Sequence, residues 1–196
     1  MIRIEHLGKA YGEKKVLADL NLCLSGTGHY YLKAPSGSGK TTLFRILSGL
    51  EAADSGSVKF PPGFRLTMVF QEDRLFERFT PLENVWMMQK ERTPEAVLRK
   101  ELGKILPADC LDKPAAALSG GMKRRTAAAR ALLTPSEGVL MDEPFAGLDQ
   151  ESLGRLCRFI REKTENRFLF VSTHTDIPEA ELPGEVLTLP FYGIAR

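Results

Sequence analysis

The stretch Ala34-Pro35-Ser36-Gly37-Ser38-Gly39-Lys40-Thr41-Thr42 constrains this chain more than any other. Residues 29–33 before it read as a strand. After it, Leu43, Phe44, Ile46, Leu47 and Leu50 fall on one helical stripe. Strand, glycine-rich loop and helix in this order form the setting of a phosphate-binding loop. Gly37 and Gly39 let the backbone curl until several N–H groups face one anion. The first helical turn adds unsatisfied donors and the positive end of its dipole. Lys40 offers a point charge for outer phosphates, and Thr41 a hydroxyl for Mg²⁺. Ala34 stands where the pattern usually opens with glycine, which a negative φ would tolerate. The rival reading is a plain Gly/Ser turn ahead of Lys-Thr. It is outweighed by the number of matching positions in the right context.

Upstream, Ile2 and Ile4 alternate with Arg3 and Glu5, and Leu20, Leu22 and Leu24 alternate again. An antiparallel ribbon is expected there, with a polar turn over residues 9–15 between its strands. Tyr11 sits in that turn. Its ring can stack on a nucleotide base or lie over the ribbon. Downstream, residues 55–57 turn into a strand over residues 58–60, and a further strand over residues 66–70 delivers Gln71-Glu72-Asp73-Arg74. Thr80-Pro81-Leu82-Glu83 is a capping box with Pro at the first helical position. Leu82, Val85, Trp86 and Met88 follow on that helix, and Trp86, Met87 and Met88 are expected in the core. Thr93-Pro94 opens another helix with Val97, Leu98 and Leu102 inward and Gly103 as its stop. The chain from 74 to 117 is therefore expected to be a helical subdomain inserted in an α/β core made of 1–73 and 118–196.

Leu118-Ser119-Gly120-Gly121 opens a long Ala-rich helix ending at Thr134-Pro135. Its basic triplet Lys123-Arg124-Arg125 reads as a solvated face without interleaved aromatics, so no nucleic-acid partner is expected. Residues 138–141 form a short apolar run, as a strand buried on both faces would, and exit into Asp142-Glu143-Pro144. Two carboxylates leaving a buried strand are costly unless used or paired. Gly147-Leu148-Asp149 leads into a helix with Leu153, Leu156, Phe159 and Ile160 on one face. A second buried strand, residues 168–171, delivers Ser172-Thr173-His174, and residues 186–189 read as an edge strand.

With 196 residues, 43% of them hydrophobic and a formal net charge of +2, the chain suits one globular domain and no polyelectrolyte partner. It shows no signal peptide and no apolar run long enough to span a bilayer. Cys23, Cys110 and Cys157 have no metal or disulfide spacing and are expected as small apolar fillers.

The order of these features is more telling than any one of them. An aromatic turn, the phosphate loop, a strand-end Gln71, Leu118-Ser119-Gly120-Gly121, a strand-end Asp142-Glu143, Gly147-Leu148-Asp149 and a strand-end His174 follow one another. In this the chain closely resembles the nucleotide-binding subunit of ATP-binding-cassette (ABC) transporters, from about residue 2 to residue 189. The resemblance implies a P-loop NTPase fold: a mostly parallel sheet core, an N-terminal antiparallel β subdomain and the helical insertion, in one ATPase domain. It implies ATP and Mg²⁺ as cofactors. Pro35, Ser36, Gly37, Ser38, Gly39, Lys40, Thr41 and Thr42 would hold phosphates, with Tyr11 at the base. Thr41, Gln71 and Asp142 would hold the metal. Glu143 would take a proton from the attacking water, with Gln71, Lys40 and His174 setting the reacting phosphate. Ser119, Gly120, Gly121 and Asp149 would complete the site of a second copy across a two-fold axis. The implied partners are that second copy, a separate integral-membrane permease and a solute-binding protein. The implied place is the cytoplasmic face of the inner membrane, as a peripheral subunit.

Phe70-Gln71-Glu72-Asp73-Arg74-Leu75 together with Thr80-Pro81-Leu82-Glu83-Asn84-Val85 is similar to bacterial importer ATPases, those for nitrate, sulfonate or taurine coming nearest. The helical part of that family docks a coupling helix of the permease, and here its groove would run from about residue 71 to 88. No C-terminal regulatory domain is expected. The chain departs from the family at Ala34, Met122, Ala146 and Thr175, none of which removes a charge or proton carrier. A small P-loop kinase, or a module that closes on ATP without hydrolysis, are the alternatives.

Overall fold

A computed structural model describes residues 1–89 and 93–189. The N-terminal ribbon is longer than its alternation suggests. β1 (Ile2–Tyr11) and β2 (Lys14–Leu24) pair antiparallel, and the turn between them is only Gly12 and Glu13. Lys9, Tyr11, Lys14 and Lys15 thus lie in strands, not in a broad polar turn. β4 (Ser55–Lys59) joins the far side of β1, and residues 55–57, expected as a turn, already belong to it. Gly56 makes this possible: at φ +79°, a Cβ there would strike the backbone of His6 and Glu5 at 2.3–2.4 Å.

The second sheet is parallel throughout, in the order β5-β6-β7-β3-β8. Its strands are β3 (His29–Lys33), β5 (Leu66–Val69), β6 (Gly138–Asp142), β7 (Phe168–Ser172) and β8 (Glu185–Thr188). β6 and β7 are buried at every position. Alternate residues of these two strands therefore serve different cores. Leu140, Phe168 and Phe170 pack with the ribbon and with α1 (Lys40–Leu47). Val139, Met141, Leu169 and Val171 pack with α4 (Gly120–Leu133) and α5 (Gln150–Lys163). Because the strands run in parallel, all their carboxyl ends share one edge of the sheet.

Residues 74–117 hold α2 (Pro81–Trp86), α3 (Glu95–Leu102) and two short 3-10 turns. Thr80 and Glu83 form the reciprocal capping box that the sequence indicates. Several inward assignments fail here. Trp86, at the last position of α2, is exposed, and so are Met87 and Met88, which lie beyond the helix and off its stripe. Val97 is also exposed, while Leu98 and Leu102 are buried. Leu50 lies beyond the end of α1 and is exposed, and Cys23 is exposed where Cys110 and Cys157 are buried.

The basic triplet is the largest correction. Arg125 is only 8% exposed and donates to the carbonyls of Ile105 and Gly121. Arg124 turns inward to the loop after β5. Two of the three charges are internal struts, because backbone carbonyls beside α4 offer them acceptors that the sequence does not display.

Candidate active site

The carboxyl edge of the parallel sheet frames a cavity of about 780 Å³. Its floor is the loop from β3 to α1. Gly39 caps α1 at φ +93°, where a Cβ would meet Val16 Cγ1 at 2.8 Å and Val16 O at 2.9 Å. Only glycine fits against β2 at that point. Gly37 is likewise left-handed, at φ +78°, and Ala34 is not, so its methyl group costs no backbone strain. Ser38 is buried, and its Oγ has no hydrogen-bond partner.

Lys40 is 7% exposed. Its ammonium donates to Ala34 O at 2.6 Å and Pro35 O at 3.1 Å, and lies 3.2 Å from His174 Nε2. Burial pulls its pKa below that of an ordinary lysine, and the nearby Glu143 and Asp142 carboxylates push it back up.

Asp142, at the end of β6, is 1% exposed. Thr41 Oγ1 donates to its Oδ2 at 2.7 Å, and Ser172 Oγ donates to its Oδ1. Glu143 follows at φ +52°, an uncommon conformation for a residue with a side chain. His174 N donates to its Oε2 at 3.2 Å. Its Oε1 is buried without a hydrogen-bond partner, 3.4 Å from His174 Nε2. Nε2 cannot both accept from Lys40 and carry a proton toward Glu143.

Tyr11, Lys14 and Val16 form the cavity wall from the ribbon side, and Gln71 and Arg124 the wall opposite. Tyr11 is half exposed, its hydroxyl held by Glu51 and its ring 5.6 Å from Lys9 Nζ. Among the described residues no cluster of three or more His, Cys, Asp or Glu could hold a metal ion. The Thr41 hydroxyl sits beside Asp142, and Gln71 lines the same cavity. Such a set suits Mg²⁺ that brings phosphate oxygens and waters with it.

Residues 17–146 match the family model described as ABC transporter. The chain belongs to the ABC transporter family. The sulfate/thiosulfate import ATP-binding protein CysA 1 of Shewanella oneidensis is 35% identical over 96% of this chain and 55% of its own length. The Escherichia coli K12 CysA protein is 34% identical over 91% of this chain and 54% of its own length. The cassette here spans about half the length of the curated relatives it matches. A dimeric bacterial ABC transporter cassette superposes with a TM-score of 0.83 at 26% identity, covering 100% of this chain and 97% of that one. A post-hydrolysis cassette bound to ADP and Pi superposes at 0.82 with 24% identity, over 100% of this chain and 97% of that one, and shows the shared fold.

Within this cassette the structure brings together Tyr11, Ser36, Gly37, Gly39, Lys40, Thr41, Thr42, Gln71, Asp142, Glu143 and His174. Pro35 and Ser38 lie in the same loop without facing the cavity. Ser119, Gly120, Gly121 and Asp149 stand apart from it. Ser119 caps α4, its Oγ accepting from Met122 N at 3.3 Å, and Asp149 caps α5. A Cβ on Gly121 would meet Leu148 Cδ2 at 3.3 Å, so the serine tip abuts the turn that leads to Asp149. Sequence reasoning gave Arg124, Lys14, Val16 and Ser172 no place at the site. Ser172 could have been found from its position opposite Asp142 in adjacent parallel strands. Nothing in the sequence marks the other three.

Proposed function

We propose that this chain is an importer-type ABC ATPase that binds MgATP in the cavity and hydrolyses it as a dimer, powering a separate membrane permease. The observation that carries the reading is Glu143 Oε1: a buried carboxylate oxygen that accepts no hydrogen bond, 3.4 Å from His174 Nε2 at the rim of a phosphate loop, beside a Thr41–Asp142 pair. In this role Glu143 accepts the proton of the attacking water, a task worth roughly 10²–10⁴-fold in rate. Lys40 and the N–H groups at the start of α1 neutralise and orient the phosphates. Thr41, Asp142 and Gln71 would hold Mg²⁺, which supplies charge neutralisation for phosphoryl transfer. His174 positions the reacting phosphate, and Tyr11 stacks on the base.

Ser119, Gly120, Gly121 and Asp149 act in the same reading on the site of a second copy. The helix N-terminus behind Ser119 favours that, since its dipole attracts anions. A further part of the proposal is that residues 74–117 form a helical subdomain that docks the permease. Support comes from a cleft of about 430 Å³ between Phe70, Phe76 and Met88 on one side and Leu50 and Met68 on the other. Exposed Phe76 and Met88 suit an apolar partner helix. The subunit would then be peripheral on the cytoplasmic face of the membrane, with a solute-binding protein beyond it. Among the described residues no helix is long and apolar enough to cross a bilayer. The curated relatives carry names for sulfate and thiosulfate import. The chain's own motifs lean toward nitrate, sulfonate or taurine importers.

The test is steady-state phosphate release from ATP with Mg²⁺. Turnover in the wild type that falls by roughly two orders of magnitude or more in Glu143→Gln supports the reading. Equal turnover in both would refute it.

A further inference from the structure

We propose that Arg124 is the positioning residue for Gln71, and that it ties the strand-exit loop at residues 70–74 to α4, so that the loop and the Ser119 tip move together. The proposal rests on the ATPase reading above and adds a part that neither the motifs nor the family match supplies.

The loop leaving β5 has little structure of its own. Among the described residues, no backbone–backbone hydrogen bond outside the sheets involves residues 71–75. Its carbonyls are taken instead by two guanidinium groups from one helix. Arg124 Nη1 donates to Phe70 O at 3.1 Å and to Gln71 O at 2.7 Å. Arg124 Nε also pairs with the Asp73 carboxylate at 3.3 Å. Farther along α4, Arg130 donates to Arg74 O at 2.8 Å and to Asp73 O at 3.4 Å. Arg74 itself is left-handed at φ +45°, and its guanidinium lies 3.9 Å over the Phe70 ring.

Arg124 is the member of this clamp that reaches the site. Its side chain is 14% exposed, and it lines the same cavity as Lys40, Asp142 and Glu143. By fixing the carbonyl of Gln71 it sets where the Gln71 amide enters that cavity. Ser119 caps the same N-terminal end of α4, five residues before Arg124. A tilt of α4 that moves Ser119 therefore drags Gln71, through a planar donor that holds two carbonyls and a carboxylate at once. Lysine, a point charge on a flexible stem, cannot reproduce that grip.

Arg124→Ala and Arg124→Lys test this. In Arg124→Ala, kcat should fall roughly ten- to a hundredfold while KM for ATP stays within about twofold, the signature of misplacement rather than lost binding. Arg124→Lys should recover part of the loss. In a Gln71→Ala background, Arg124→Ala should add nothing further, because the residue it positions is gone. The same fold-loss in both backgrounds would overturn the proposal, as would wild-type kcat in Arg124→Ala. Amide hydrogen exchange supplies a readout free of activity: the peptide covering residues 70–76 should exchange faster in both variants, and unchanged exchange would contradict the clamp. If the wild type turns over no ATP, the functional reading falls, while the exchange result still decides whether Arg124 holds the loop.

Discussion

The two ends of the parallel sheet treat polar groups in opposite ways. At the amino end they are paired. Glu137, just before β6, accepts from Arg65 N, Nε and Nη2 in a fork beside the start of β5. Arg167, just before β7, donates through its Nη atoms to Leu132 O, Thr134 O, Lys163 O and Ser136 Oγ, leaving its Nε alone unpaired. At the carboxyl end, Ser38 Oγ and Glu143 Oε1 are buried without a hydrogen-bond partner, Glu143 is left-handed, and the Lys40 ammonium turns back on its own loop. Unpaired buried polar atoms cost stability, roughly 1–3 kcal/mol each. A fold that pairs nearly all of these groups at one edge and concentrates the unsatisfied ones at the other has room for a ligand at the second.

Substitutions can break or sharpen that contrast. The largest effect is expected from the serine tip, which lies outside the cavity of its own chain. Ser119→Arg should cut ATP turnover by roughly 10²–10³-fold, the scale of losing a preorganised donor, with ATP affinity of the monomer unchanged. Phosphate release and equilibrium binding, measured side by side, check this. A loss of monomer affinity would put the tip in its own cavity and void the division of labour.

Next in size is Lys40→Ala. Loss of a charged donor to phosphate should weaken ATP binding roughly 10- to 100-fold, measured by titration of a fluorescent ATP analogue. The folded state should survive, since burial already disfavours the Lys40 charge.

Smallest is Glu137→Gln at the saturated edge, which should leave turnover intact and lower the melting temperature slightly. Arg65 holds the Glu137 carboxyl down at about 2, against 4.5 for an ordinary glutamate. A depressed carboxylate stabilises the fold fully above the unfolded value and loses that contribution as pH falls through the folded one. The melting-temperature gap between wild type and Glu137→Gln should therefore be full at neutral pH and shrink from pH 4.5 toward 2. The pair is solvent-exposed, so the gap is small throughout.

The unsaturated edge was legible in the sequence because its signals are local. A glycine that must be left-handed, a lysine after it, and acids or a histidine closing apolar runs are read without knowing the fold. The saturated contacts were not legible. Arg124 and Arg125 look like a wet helix face in one dimension, and only the carbonyls brought alongside by the loop after β5 and by the segment after α3 make them internal. Met87 and Met88 failed for a related reason. An apolar run at helical spacing predicts a buried stripe only while the helix lasts, and α2 ends before them, at Trp86, itself exposed. β4 starts earlier than its apolar residues indicate because Gly56 lets Ser55 and Ser57, turn formers in sequence, join a strand.

The account depends on a site that one chain holds and a second chain closes. Sedimentation of Glu143→Gln with saturating ATP tests it most directly. A long-lived species of twice the monomer mass, returning to monomer when ATP is removed, is the predicted result. A boundary that stays monomeric at saturating ATP would contradict it.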